Sequence, residues 1–196
     1  MKCDKDTLLL YAVTDRAWTG GQPLARQVEA ALQNGATCLQ LREKALDPAA
    51  FREEARQMTL LCGRYGVPLI INDNVEVALA CGAAGVHLGQ QDMPIAQARR
   101  MAGPDLILGA SAHTVQEALE AQAAGADYLG VGAVFSTSTK ADASPLPLTT
   151  LREICAAVSI PVVAIGGITE ANLLQLTGCG AAGVAAVSYT HLTLPT

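Results

Sequence analysis

The sequence predicts an α/β protein of the (β/α)8 TIM-barrel class, and three observations carry that expectation. Short apolar runs rich in Val, Ile, Leu and Ala alternate with longer helix-like segments along the chain. The runs are apolar almost without a break, as parallel strands covered on both faces are, and lack the in–out alternation of a half-exposed sheet. Nearly every unusual polar residue falls at the C-terminal end of such a run or just after it. In a barrel those ends converge on one face, where such folds place their sites.

Taken in order, strands are expected at residues 8–14, 38–41, 68–71, 85–88, 106–110, 128–134, 161–165 and 183–187. Helices are expected between them, including 24–34, 51–65 and 115–124, which stop at Gly35, Gly66 and Gly125. A glycine just past the last helical residue takes the left-handed conformation at low cost and so ends a helix. Four links repeat one pattern: Asn34-Gly35-Ala36, Ala80-Cys81-Gly82-Ala83, Ala124-Gly125-Ala126 and Cys179-Gly180-Ala181. Each ends a helix and leads into a strand. Eight units in 196 residues average about 25 residues apiece, compact but feasible for the barrel. A doubly wound open sheet would show the same alternation, since strand order is not written in the sequence. Eight strands, with no GxGxxG or GxxxxGK[ST] after the first, favour the barrel.

The length fits one domain, expected to span residues 1–188. A net charge of −5 supplies no basic field for nucleic acid or an anionic membrane, so neither is an expected partner. An anionic ligand must then be held by a few placed cations and backbone amides. The six cysteines are scattered, without Cys-x-x-Cys pairs or zinc spacing, which points to free thiols in a reducing cytoplasm. The apolar run at 8–13 is too short for a signal h-region or a membrane span. Oligomeric state is not written in the sequence.

The polar clusters define candidate chemistry. Gln40 and Arg42 are two apart and share a face at the end of the second strand, while Leu39 and Leu41 can point to the helices. Arg42 and Lys44 would supply cationic donors to an anion, although a surface loop pairing them with Glu43 or Asp47 fits equally well. Asp73 and Asp92 close adjacent units, and two carboxylates facing a phosphorylated ligand suit Mg²⁺, which keeps waters and phosphate oxygens as its other ligands. Either could instead cap the helix that follows, near Asn74 or after Pro94. The hydroxyl-rich stretch Ser136–Lys140 suits phosphate contact or an ordinary polar loop. Gly166-Gly167 and Val187-Ser188 follow the seventh and eighth strands, where barrels hold phosphate on backbone amides. His113 could touch ligand or serve the loop; His87, inside an apolar run, reads as a satisfied core histidine. Trp18, beside Gly20-Gly21, could cover the mouth.

These motifs together resemble the thiamine-phosphate synthase family. They are Gln-Leu-Arg-Glu-Lys at 40–44, Ile-Asn-Asp at 71–73, Gly-Val-His-Leu-Gly-Gln-Gln-Asp at 85–92, Ser-Ala-His-Thr at 111–114, Thr-Ser-Thr-Lys at 137–140 and Ala-Ile-Gly-Gly-Ile at 164–168. The resemblance runs in order from about Leu8 to Ser188. It implies a transferase of thiamine biosynthesis that joins hydroxymethylpyrimidine pyrophosphate to thiazole phosphate and releases pyrophosphate, by a Mg²⁺-assisted dissociative route. It further implies that Gln40 and Ser111 hold the aminopyrimidine. Arg42, Lys44, Asn72 and Lys140 would hold the pyrophosphate, with Arg42, Lys44 and Lys140 catalytic, and Asp73 and Asp92 would bind Mg²⁺. Thr137, Thr139, Gly167, Val187 and Ser188 would hold the thiazole phosphate. The absence of a Ser/His/Asp or Cys/His arrangement agrees with a reaction that needs charge stabilisation and positioning more than a nucleophile. Two alternatives stay open: a thiazole tautomerase-like isomerase on the same barrel, and a non-catalytic barrel that binds a phosphate ligand.

The family chain continues past the eighth strand into a covering helix. Here Tyr189-Thr190-His191-Leu192-Thr193-Leu194-Pro195-Thr196 has no helical period. Residues 189–196 are therefore expected to be a non-native tail, and the barrel is expected to lack its final helix.

Overall fold

The computed structural model describes residues 3–19, 21–137 and 145–187, the side chain of Trp18 excepted. Eight strands close a parallel barrel in sequence order. They are β1 (Leu10–Val13), β2 (Cys38–Leu41), β3 (Leu69–Asn72), β4 (Gly85–Leu88), β5 (Ile107–Ala112), β6 (Tyr128–Gly132), β7 (Val162–Ile165) and β8 (Gly183–Ala186). Among the described residues six helices lie between them: α1 (Leu24–Gln33), α2 (Pro48–Tyr65), α3 (Val75–Cys81), α4 (Ile95–Ala102), α5 (Val115–Ala123) and α6 (Leu148–Ala157). The link from β7 to β8 carries only a 3-10 turn, Leu173–Leu176. The segment expected to be a foreign tail lies outside the described residues.

Only β2 and β4 have the expected bounds, and two of the differences elsewhere have a clear physical reason. β5 runs on through Ser111 and Ala112, which pair with Gly130 and Val131; Ser111 reads as loop by polarity but lies on the inward row of the barrel. β1 begins at Leu10 because the preceding residues wind into a 3-10 turn, Asp6–Leu8, that tucks Leu8 fully out of solvent.

Pleating sorts the strand residues into two cores. The outward row, including Leu39, Leu41, Ile71, Val86 and Leu108, packs against the buried faces of α1–α4. A second cluster, from Ala110 to Cys179, does the same under α5 and α6. The inward row fills the barrel with Tyr11, Val13, Cys38, Ile70, Ile107, Tyr128, Val163 and Ala185. Helix ends are set locally. Asp47 caps α2 through the amides of Ala49 and Ala50, Pro48 starts the helix, and Gly66 ends it with φ 68°. Asn74 caps α3 and Thr114 caps α5. Away from the strand C-termini, Arg99 binds the carbonyls of Gly103, Leu106 and Gly125 and the Asp127 carboxylate, tying α4 to the starts of β5 and β6. All six cysteines are free thiols. Among the described residues no helix is long and apolar enough to cross a membrane.

Candidate active site

The strand C-termini gather the residues singled out in the sequence. Gln40, Asn72, His87 and Ser111 fall on the inward row of β2, β3, β4 and β5, two positions beyond Cys38, Ile70, Gly85 and Gly109. Thr14 fastens the first two strand ends. Its hydroxyl accepts the Arg42 amide at 2.9 Å and its own amide donates to the Gln40 carbonyl, so the chain leaves β2 in a fixed direction.

Lys44, Asp73 and Asp92 meet at the ends of β2, β3 and β4. The Lys44 ammonium donates to Asp73 at 2.5 Å. Asp73 has φ 64°, a region non-glycine residues seldom enter, within a three-residue turn closed by the Asn74 amide on the Asn72 carbonyl. Neither carboxylate caps the helix after it. Asn74 caps α3, Pro94 precedes α4 without a side-chain cap, and Asp92 instead accepts the Gly89 amide at 2.7 Å. Burial alone would raise the Asp73 carboxyl, but the hydrogen bonds with Lys44 and Asp92 outweigh it and hold the group below its ordinary value. Burial and the bond shared with Asp73 push Asp92 above its own. Two acids within reach of one proton, titrating in opposite directions, form one unit.

The neighbouring charges are already arranged. Arg42 reaches Asp15, 3.5 Å away in the loop after β1, and not the Glu43 or Asp47 of its own loop. Glu43 turns away, with Arg16 Nε lying 2.9 and 3.0 Å from its two oxygens, and Arg16 also binds Glu54 of α2. His113 belongs to the loop: its amide and Nδ1 both meet the Glu117 carboxylate one turn into α5.

Across the mouth, the loop after β7 lies on the loop after β6. Gly166 and Gly167 have φ 98° and 65°, and a Cβ on Gly167 would run into the backbone of Phe135 and Ser136. Only glycine permits both the backbone angle and that approach. Asn172 holds the turn by donating to the Gly167 carbonyl at 2.8 Å. Thr137 follows Ser136 in the opposing loop, half-buried, and Val187 closes the far side of the interior against the inward cluster. Thr139, Lys140, Ser188 and Gly20 lie outside the described residues.

Beneath the mouth a hydrogen-bonded chain crosses the barrel. Gln40 Nε2 donates to Tyr11 Oη at 2.9 Å, and Tyr11 Oη lies 2.8 Å from Tyr128 Oη. Tyr128 Oη is 3.0 Å from His87 Nδ1, and His87 Nε2 is 3.0 Å from Ser111 Oγ. Gln90 caps the far end by donating to the Ser111 carbonyl at 2.6 Å. Burial pushes both tyrosine hydroxyls well above the usual phenol range, so they stay neutral.

With this geometry in place, comparison with known proteins settles the family. Residues 10–189 match the family described as thiamine monophosphate synthase. The chain belongs to that family. A thiamine-phosphate synthase of Lacticaseibacillus paracasei is 50% identical over 181 residues, 92% of this chain and 85% of that protein. One from Ruminiclostridium cellulolyticum is 50% identical over 179 residues, 91% and 85% of the two chains. The solved thiamine phosphate pyrophosphorylase from Pyrococcus furiosus superposes with a TM-score of 0.87 at 41% identity, covering 95% of this chain and 89% of that one. An N-acetylmannosamine-6-phosphate 2-epimerase from Clostridium perfringens, at 16% identity and a TM-score of 0.70, shares the barrel.

Within this member of the thiamine monophosphate synthase family, the described candidates from Gln40 to Ser111 come together at one end of the barrel. Reading the sequence alone missed Tyr11, Tyr128 and Asp15, and gave His87 no part in the site. The tyrosines sit inside apolar runs, where an aromatic reads as core, and only ring closure brings them to Gln40 and His87. The sole local hint was His87 itself, a ring with two polar atoms placed inside a strand.

Proposed function

We propose that the protein couples 4-amino-5-hydroxymethyl-2-methylpyrimidine pyrophosphate to thiazole phosphate, forming thiamine phosphate and pyrophosphate. The observation that carries this reading is the Lys44–Asp73–Asp92 cluster on adjoining strand ends, beside Arg42 and opposite the Gly166-Gly167 turn. A cation and two carboxylates there, with neither acid used as a helix cap, suit a metal-bound pyrophosphate better than a single phosphate ester.

Two side-chain carboxylates, with waters and phosphate oxygens as the remaining ligands, form the donor set Mg²⁺ prefers. Among the described residues no group of three His, Cys, Asp or Glu offers a closed cage for a softer metal. Asp73 and Asp92 would hold the ion, which when bound would neutralise charge on the pyrophosphate oxygens. Arg42, Lys44, Lys140 and Asn72 bind the same leaving group. The C–O bond from the pyrimidine methylene to pyrophosphate breaks with its electron pair leaving on oxygen. The pyrimidine-stabilised cation that remains is captured by the lone pair of the thiazole nitrogen, forming the C–N bond. No protein nucleophile enters, so the work falls to charge complementarity and to holding the two rings face to face. Gln40 and Ser111 hold the aminopyrimidine; Thr137, Thr139, Gly167, Val187 and Ser188 hold the thiazole phosphate. The free thiols suit a reducing interior, and we assign the protein to the cytoplasm.

The test is pyrophosphate release from both substrates, with and without Mg²⁺. Mg²⁺-dependent release matched one-to-one by coupled product is expected, and Arg42→Ala or Lys44→Ala should lower kcat by about 10²–10³-fold. Isomerisation of thiazole phosphate without pyrophosphate release would assign a tautomerase. Ligand binding without any turnover would assign a non-catalytic barrel.

A further inference from the structure

The loop that carries Arg42 and Lys44 also carries an acid between them, and that acid is turned out of their reach. The Glu43 side chain is 3% exposed and lies against Arg16. Arg16 Nε donates to Glu43 Oε2 at 3.0 Å and stands 2.9 Å from Oε1, while its Nη2 meets the two oxygens of Glu54 at 2.7 and 2.8 Å. One guanidinium therefore serves two carboxylates through different nitrogens. Burial raises the Glu54 carboxyl, the bond from Arg16 lowers it and the Glu43 charge raises it again, so the two acids are close enough to repel across their shared cation.

The residues before Arg16 are fixed to the same loop. The Thr14 hydroxyl accepts the Arg42 amide at 2.9 Å, and Asp15 Oδ2 lies 3.5 Å from Arg42 Nη1. Asp15 also caps the turn Arg16–Trp18 by accepting the Ala17 amide at 2.9 Å. Three successive residues, Thr14, Asp15 and Arg16, thus hold the backbone of Arg42, its guanidinium and the carboxylate of Glu43. Charge in the mouth is already finely balanced. Arg42 meets Asp15, Lys44 meets Asp73, and Asp92 adjoins Asp73, which sets two cations among three carboxylates in this group of described residues. A fourth carboxylate there would repel a pyrophosphate and compete with it for both cations.

We propose that Arg16 is a positioning residue for the pyrophosphate site: it withholds the Glu43 charge from the mouth and so keeps Arg42 and Lys44 available to the leaving group. Without Arg16, two carboxylates of 3% and 17% exposure would face each other unpaired, and a buried charge stripped of its partner strongly destabilises its surroundings. Glu43 is the acid that can leave, because it sits in a loop while Glu54 is held in α2. Its nearest neighbours in the chain are the two cations, so it turns toward them and into the mouth. The inference rests on Arg42 and Lys44 being the pyrophosphate contacts.

Two double variants of the full chain test it, with inorganic pyrophosphate and Mg²⁺ as the probe and calorimetry as the readout. Arg16→Gln with Glu54→Gln leaves Glu43 charged and unpaired; Arg16→Gln with Glu43→Gln removes that charge instead. Both lack Arg16 and carry the same net charge, so general damage or a lost cation would weaken them alike. The first should bind pyrophosphate at least about tenfold more weakly than the parent and the second within about threefold of it. KM for thiazole phosphate should stay near the parent value in both. Equal pyrophosphate affinity in the two, or a parallel rise in the thiazole phosphate KM, would overturn the proposal. Glu43→Gln alone gives a second reading if the first double variant does not fold by circular dichroism. It should leave pyrophosphate affinity near the parent's, and a gain of about tenfold would show Glu43 acting on the ligand with Arg16 in place, which sinks the idea. Arg42→Ala separates the two levels. If it leaves pyrophosphate affinity unchanged, the assignment of the pyrophosphate site fails. If it weakens binding while the double variants behave alike, only the role of Arg16 fails.

Discussion

Asp92, proposed above as a metal ligand, opposes the fold that presents it. Its carboxyl sits beside Asp73 and is pushed upward by burial and by that neighbour. An acid whose folded value lies above its unfolded one binds its proton more readily when folded. It therefore favours folding at low pH, and that contribution is lost as pH rises through the folded value. At neutral pH the metal-free protein thus carries a small cost at this position. Asp92→Asn should stabilise the metal-free protein at pH 7 by about 0.5 kcal/mol, a modest figure because the group faces solvent. The gain should vanish below about pH 4, where the parent acid is protonated in both states. Urea unfolding at the two pH values measures it. The same variant should lose at least about 10²-fold in kcat if Asp92 holds the metal, so stability and turnover would move in opposite directions.

At the scale of elements, the turn after β7 joins two parts of the site. Gly167 combines positive φ with close approach to the loop after β6. Gly167→Ala should push the loops apart and cost about 1–2 kcal/mol. It should raise KM for thiazole phosphate roughly tenfold while leaving KM for the pyrimidine substrate near its parent value, since a displaced amide costs one charge-assisted bond. Steady-state kinetics with each substrate varied in turn separates the two. Such a turn was legible in the sequence as a glycine pair after an apolar run, because its cause is local. So were the strands, whose unbroken Val, Ile and Leu reflect burial on both faces, and the helix stops at Gly66 and Gly82. The Lys44–Asp73 contact was not legible, since it depends on how far two loops lean toward each other. Nor was the chain through Tyr11, Tyr128 and His87, because parity alone does not say which residues meet across a closed ring.

For the whole molecule the decisive event is closure. Seven of the eight pairings join strands consecutive in sequence, and β1 with β8 joins residue 10 to residue 184. Gly183 lies at that seam, where a Cβ would stand 2.6 Å from the Leu9 backbone. Gly183→Ala should destabilise the protein by about 1–3 kcal/mol through forced separation of the strands, measured by equilibrium unfolding. Loop entropy rises slowly with length, and spanning the whole chain costs roughly 1.5 kcal/mol more than spanning one β/α unit. A chain with its other seven pairings made but its seam open displays two bare rows of amides and carbonyls, one along β1 and one along β8. Such edges recruit strands from other molecules. A residue without a side chain at the seam therefore bears on solubility during refolding: it shortens the interval in which the unfinished ring can be finished by a stranger.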